Sequence, residues 1–163
     1  MGKELLTSYG YDKLTAEIKN LSLVERPKVI EEVQIAREHG DLKENAEYHA
    51  AREKQRLIDK SIDELNYLLA NSQVVDPKKL NHFQVSFGSS VTLLDLETNL
   101  ESTYTIVGSY ESQSEKNIIS YHSPLAKILL GKEVEDEIEL KLPNMTKEYE
   151  IVKIEYKEID FEN

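Results

Sequence analysis

Apolar positions in the first 75 residues recur every three or four residues, the period of a helix buried on one side. Leu14, Ile18 and Leu21 form one set, and Val29, Val33 and Ala36 a second. The two sets are offset by one residue, and Pro27 stands between them. Proline lacks an amide donor and its ring strikes the preceding turn, so a kink or register slip is expected there. Further on, Tyr48, Ala51, Gln55, Ile58, Ile62, Leu65 and Leu69 alternate spacings of three and four. That is the seam of a coiled coil. Glu47, Lys54, Asp59 and Lys60 fall on the opposite face and suit solvent. Only His39-Gly40-Asp41-Leu42-Lys43 separates the two helical stretches, so they run antiparallel as a hairpin. Roughly 28 residues at about 1.5 Å each give an arm about 40 Å long.

After residue 75 the period changes to two. Ile138, Leu140 and Leu142 alternate with Glu137, Glu139 and Lys141, and Val152, Ile154 and Tyr156 with Lys153, Glu155 and Lys157. Such alternation marks half-buried strands. Further strands are expected near 83–87, 91–96, 103–108 and 117–121, with turns at Gly88-Ser89-Ser90 and Pro143-Asn144. One short helix is expected after Ser123, which can cap it; Pro124 suits its first position and Gly131 its end. The chain therefore reads as α+β in two domains, a helical hairpin over 1–75 and a β domain over 76–163. The junction falls near Asp76-Pro77-Lys78-Lys79.

Charge narrows the function. The net charge of −11 argues against a nonspecific duplex binder, which would neutralise phosphates with clustered Lys and Arg. Residues 1–75 hold 11 basic and 14 acidic side chains, and residues 76–163 hold 9 and 17, so the β half is the more acidic. Cysteine is absent, which removes thiolate chemistry and fits a reducing cytoplasm. No apolar run approaches the length of a membrane span, and the N-terminal residues carry no export signal.

The densest chemistry lies at the hairpin tip. Gly40 is placed to close the first helix in a left-handed conformation. Asp41 then stands at the cap position of the second helix, and Glu44 completes an acidic capping box. A cap uses one carboxylate oxygen and leaves others free. Two carboxylates alone make a poor Mg²⁺ site, because Mg²⁺ takes six oxygens, but they can complete a site begun by a partner. Arg37, Arg52 and Lys43 could gather into a small basic spot, although pairing with the many Glu residues is the commoner fate of such charge. His39 and His49 form no cluster at zinc spacing. His122 and Ser123 are neighbours, but adjacency alone does not make a triad.

The stretch REHGDLKENAEYHAARE, from Arg37 to Glu53, closely resembles the hairpin tip of the bacterial GreA/GreB transcript cleavage factors, the GreA branch in particular. LTSYGYDKL, FGSSVTL, SPLAKILLGK and EYEIVKIEY extend the likeness along nearly the whole chain. The resemblance implies a coiled-coil arm and an FKBP-like β domain that docks at the rim of the RNA polymerase secondary channel. It implies that the arm reaches the active centre and stimulates the polymerase's own cleavage of backtracked nascent RNA. In that reading Asp41 and Glu44 help hold a second Mg²⁺ shared with the polymerase. Arg37 and Arg52 face the RNA 3′ segment, and Ser123 and Pro124 belong to the docking surface. The chain itself would be no enzyme, would act as a monomer in the cytoplasm, and would bind no cofactor stably alone. Two other readings share the scaffold: a channel-binding homologue that inhibits polymerase, and a prolyl isomerase or chaperone using the β domain. The acidic extension Lys157 to Asn163 departs from the family pattern.

Overall fold

The computed structural model describes residues 2–40 and 44–162. The chain forms two compact units, one of Asp12–Ser72 and the other of Met1–Tyr11 with Gln73–Asn163.

The helical unit contains α1 (Ser8–Asn20, entered from the other unit), α2 (Arg26–Arg37) and α3 (Ala46–Ala70). Between α1 and α2 lies one wide π turn, Leu21–Glu25, with helical dihedrals on both sides. The Arg26 N–H donates to Leu21 O, five residues back, instead of four. One extra residue is thereby absorbed, which accounts for the offset between the two apolar sets. The wide turn also relieves the clash that Pro27 imposes on a regular helix. Val29, Val33 and Ala36 are buried on α2, and Ala51 on α3.

Cross-links along the arm fix the direction of the helices. Arg26 Nε donates to Asp59 at 2.7 Å, and Lys54 Nζ lies 3.4 Å from Glu32. As the number rises on one helix it falls on the other, as an antiparallel hairpin requires. Asp59 and Lys54, expected to suit solvent, keep much of that exposure and also flank the seam as ion pairs. Both pairs are substantially exposed, so each contributes at most about 1 kcal/mol.

In the second unit, five strands curl into a sheet of order β5-β4-β3-β7-β6. These are β3 (Ser90–Asp95), β4 (Glu101–Val107), β5 (Ile118–Ser120), β6 (Glu137–Lys141) and β7 (Thr146–Glu155). All pairs are antiparallel except β4–β5, which runs parallel. A short helix, α4 (Pro124–Leu129), covers the sheet with Ala126 and Leu129, both fully buried. Val91, Leu93, Ile106 and Ile151 form the centre of the core. Ser123 Oγ accepts from Ala126 N at 3.2 Å, Pro124 sits in the first turn, and Gly131 follows with φ +86°.

Three expectations change. The strand expected over 83–87 reduces to one bridge, Gln84 with Glu133. The last strand begins at Thr146 and carries a bulge: Thr92 faces Lys153, while Leu93 faces Ile151. Val152 is therefore an extra residue, and the buried set Tyr149 and Ile151 lies out of phase with the alternation of Val152, Ile154 and Tyr156. Finally, residues 1–75 are not wholly helical. Glu4–Leu6 (β1) pairs with Ser72–Val74 (β2), and Val75 N donates to Leu6 O at 2.8 Å. Three residues are too few for a period to be read.

The first residues are tied to the sheet unit by polar contacts. Glu111, fully buried, accepts from Thr7 N at 3.0 Å and Gly108 N at 2.7 Å through one carboxylate oxygen. Tyr121 hydroxyl accepts from Leu5 N and donates to Glu4, which also meets His122 Nε2 at 3.0 Å. The acidic C-terminal segment is docked as well. Phe161 stacks on Tyr9 with ring centroids 4.2 Å apart, and Gln113 Nε2 donates to Phe161 O.

His82 organises the loop before β3. Its Nε2 donates to Pro77 O and its Nδ1 accepts from Ser89 Oγ, both at 2.6 Å, while Ser89 Oγ accepts from Ser86 N. A neutral imidazole with the proton on Nε2 satisfies every partner. Ser89 is fully buried, so this Ser–His pair is structural. His82→Ala is expected to destabilise the protein by about 1–3 kcal/mol, since it strands buried polar groups. Denaturant unfolding checks this.

No helix among the described residues is long and apolar enough to cross a membrane.

Candidate functional site

Helix α2 ends at Arg37, with Glu38 N donating to Ile35 O and Ala36 O. Gly40 follows with φ +117°, a conformation that glycine adopts without a Cβ penalty. Asp41, Leu42 and Lys43 lie outside the described residues, so the place of Asp41 as a metal ligand and of Lys43 in a basic spot is not given by the fold. The chain resumes at Glu44, which is exposed and stands in a turn before α3.

The cap of α3 is not where the spacing put it. Asn45, in extended conformation, accepts from Tyr48 N through Oδ1 at 3.0 Å and begins the helix at Ala46. Asp41 is therefore not the N-cap, and Glu44 does not complete a capping box. Position 45 directly precedes the helix, whereas a cap at 41 would have extended α3 by a further turn. The same Asn45 side chain donates from Nδ2 to Ala36 O. Asparagine is among the preferred capping residues, so that signal was present in the sequence beside the more conspicuous acids.

Around this junction several groups meet. The Arg37 guanidinium carbon lies 5.8 Å from the centre of the Tyr48 ring, within cation–π reach. His39 Nδ1 is 3.4 Å from Glu47. The Tyr48 and His49 rings meet edge to face, 5.5 Å apart. Arg37 and Arg52 come from opposite helices, are both exposed, and line one groove of about 500 Å³ with Gln34 and Gln55. The hairpin thus brings together the two arginines singled out from the sequence. Glu44 borders a separate, open cleft of about 380 Å³ with His39, Asn45 and Glu47.

Could this tip hold Mg²⁺? Among the described residues, no three His, Asp or Glu side chains gather as a metal site. Glu44 is exposed, and Asp41 lies three residues before it. Two carboxylates supply at most four oxygens, against the six that Mg²⁺ takes. The donor set fits one side of a shared site and falls short of a resident one. Ser123 and Pro124 lie in the other unit, at the start of α4. Ser123 is half-buried by its capping role, and Pro124 is exposed.

Comparison with known proteins covers nearly the whole chain. Residues 4–74 match the family model described as transcription elongation factor, N-terminal, and residues 80–156 that of transcription elongation factor, GreA/GreB, C-term. Transcription elongation factor GreA of Helicobacter hepaticus is 57% identical over 162 residues, covering 99% of each chain. The GreA proteins of Helicobacter pylori and Wolinella succinogenes are each 52% identical over the same length. Among solved structures, Gfh1 of Thermus thermophilus aligns over 94% of this chain and 99% of its own, at 24% identity and TM-score 0.44. A GreA/GreB factor from Nitrosomonas europaea aligns over 96% and 100%, at 21% identity and TM-score 0.43.

Proposed function

Because this chain belongs to the GreA/GreB family of transcription elongation factors, we propose that it binds RNA polymerase and stimulates cleavage of backtracked nascent RNA. The observation that carries this reading is likeness to GreA along the full length, with both acidic residues of the tip in place. The second unit docks at the rim of the secondary channel through the surface around Ser123 and Pro124. The hairpin, whose α3 alone spans 25 residues or about 37 Å, supplies the reach to the active centre.

At the tip, Asp41 and Glu44 supply oxygens that complete a Mg²⁺ site whose remaining ligands belong to the polymerase. A Mg²⁺ bound there would supply activation of a water and stabilisation of the charge that develops on the scissile phosphate. The exposed Glu44 carboxylate can turn toward such a site without breaking any cap, because Asn45 does the capping. Arg37 and Arg52, lining one groove, offer two guanidinium forks to the phosphates of the extruded 3′ segment. With a net charge of −11, docking on protein guides the arm, and nucleic-acid attraction does not. Catalysis remains the polymerase's, and the factor acts as a monomer in the cytoplasm.

The test is a cleavage assay on backtracked complexes of the cognate polymerase. Addition of the protein should release 3′ RNA fragments much faster than polymerase does alone, and the shortened transcript should then extend. No acceleration at saturating protein would sink the reading.

A further inference from the structure

We propose that Asn45 is a positioning residue that clamps the two helix ends of the tip and so sets the placement of Glu44 and Arg37. This rests on the function proposed above. A cap needs only an acceptor, which Ser, Thr and Asp also provide. Asparagine offers an acceptor and donors on one planar group, and here both kinds are used. Oδ1 takes the Tyr48 N–H at the start of α3, and Nδ2 gives a proton to Ala36 O in the last turn of α2. Reversing the amide would break both bonds, so the orientation is unambiguous.

The clamp's two ends each sit one residue from a side chain with a proposed role. Ala36 precedes Arg37, and Asn45 follows Glu44. Eight residues separate Ala36 from Asn45 in sequence, and one side chain bonds both the last turn of α2 and the first turn of α3. It also holds Tyr48, over whose ring Arg37 lies. Outer groups that orient a metal's ligands commonly change metal affinity about 10–100-fold when removed.

Two variants separate clamping from capping. Asn45→Ser keeps a good cap but cannot reach Ala36 O; Asn45→Asp keeps the cap and sets an oxygen against that carbonyl. Both should fold and bind polymerase as the native chain does. In cleavage assays across Mg²⁺ concentration, each should raise the half-saturating Mg²⁺ about tenfold, with most of the maximal rate regained at high Mg²⁺. A second readout needs no polymerase. The chain has no cysteine, so spin labels can be placed at Glu38→Cys and Ala50→Cys, both exposed positions. The distance distribution between them should broaden in Asn45→Ser. If either readout stays at its native value in the Ser variant, the proposal is overturned. A native chain that fails to stimulate cleavage overturns the functional reading instead, and the spin-label distances then decide the clamp.

Discussion

Asp41→Asn combined with Glu44→Gln is expected to lower transcript cleavage by backtracked complexes about 100-fold or more while leaving polymerase binding intact. The magnitude follows from the chemistry assigned to the pair. A metal that stabilises transition-state charge contributes several kcal/mol, and each 1.36 kcal/mol is tenfold in rate. Neutral amides keep the size and one acceptor oxygen of each side chain but lose the charge proposed to hold Mg²⁺. Glu44 is exposed, and α3 is capped by Asn45, so the Glu44 substitution leaves that cap in place. Cleavage time courses, a competition assay for polymerase binding and a thermal melt together decide the matter. Native-like cleavage by the double variant would remove the metal role from these residues.

The second large effect concerns stability. Glu111→Ala is expected to destabilise the protein by about 3 kcal/mol or more, since it strands the buried Thr7 and Gly108 amides and opens a cavity. For a chain of this size that amounts to a fall in melting temperature of about 6–12 °C. The surrounding space is built around this carboxyl group. A Cβ on Gly10 would fall 1.9 Å from Glu111 Oε2, and one on Gly108 would fall 2.2 Å from the Leu5 carbonyl oxygen. Glu111→Gln should behave in the opposite way. Burial pushes the Glu111 carboxyl above its usual range, against the lowering effect of the Thr7 and Gly108 amides. Among the described residues, Oε2 has no hydrogen-bond partner to offset its desolvation. A carboxyl with a raised native pKa contributes stability that is fully present below its unfolded value and is lost as pH rises through its folded value. Glutamine mimics the protonated form at every pH. The variant should therefore match the native protein near pH 4 and exceed it in stability at neutral pH, with the gap opening from about pH 4.3 upward. Urea unfolding at several pH values reads this directly. A gap independent of pH would show that Glu111 does not titrate between the two states.

Long-period features were legible in the sequence because each rests on many residues. The coiled-coil seam from Tyr48 to Leu69, the β pattern at Ile138 and Leu140, and the Ser123–Pro124 helix start all repeat or combine independent signals. The offset around Pro27 was visible as an offset, although the π turn at Leu21–Glu25 that absorbs it was not. What failed was short or decided by tertiary contact. Three-residue strands carry no period, so nothing in the sequence sets Glu4–Leu6 apart from the helices that follow. The bulge at Val152 depends on register against β3, which no local pattern records. At the tip, Asp41 and Asn45 are both good capping residues by type. Only the bond that Asn45 Oδ1 accepts from Tyr48 N settles which residue starts α3. Glu111 carried no periodic sign, because its burial depends on Thr7, more than a hundred residues away.

The pairing of β1 with β2 has a consequence for how such proteins can change over time. The sheet unit is assembled from both ends of the chain, and the whole helical arm is threaded between two short strands that lie side by side. Topologically the arm is a cassette. Matched gains or losses of turns in α2 and α3 would alter its length without rerouting a single strand of the sheet. A lineage could thus fit the same anchor to cavities of different depth, or change what the tip carries, while selection on the anchor stays undisturbed.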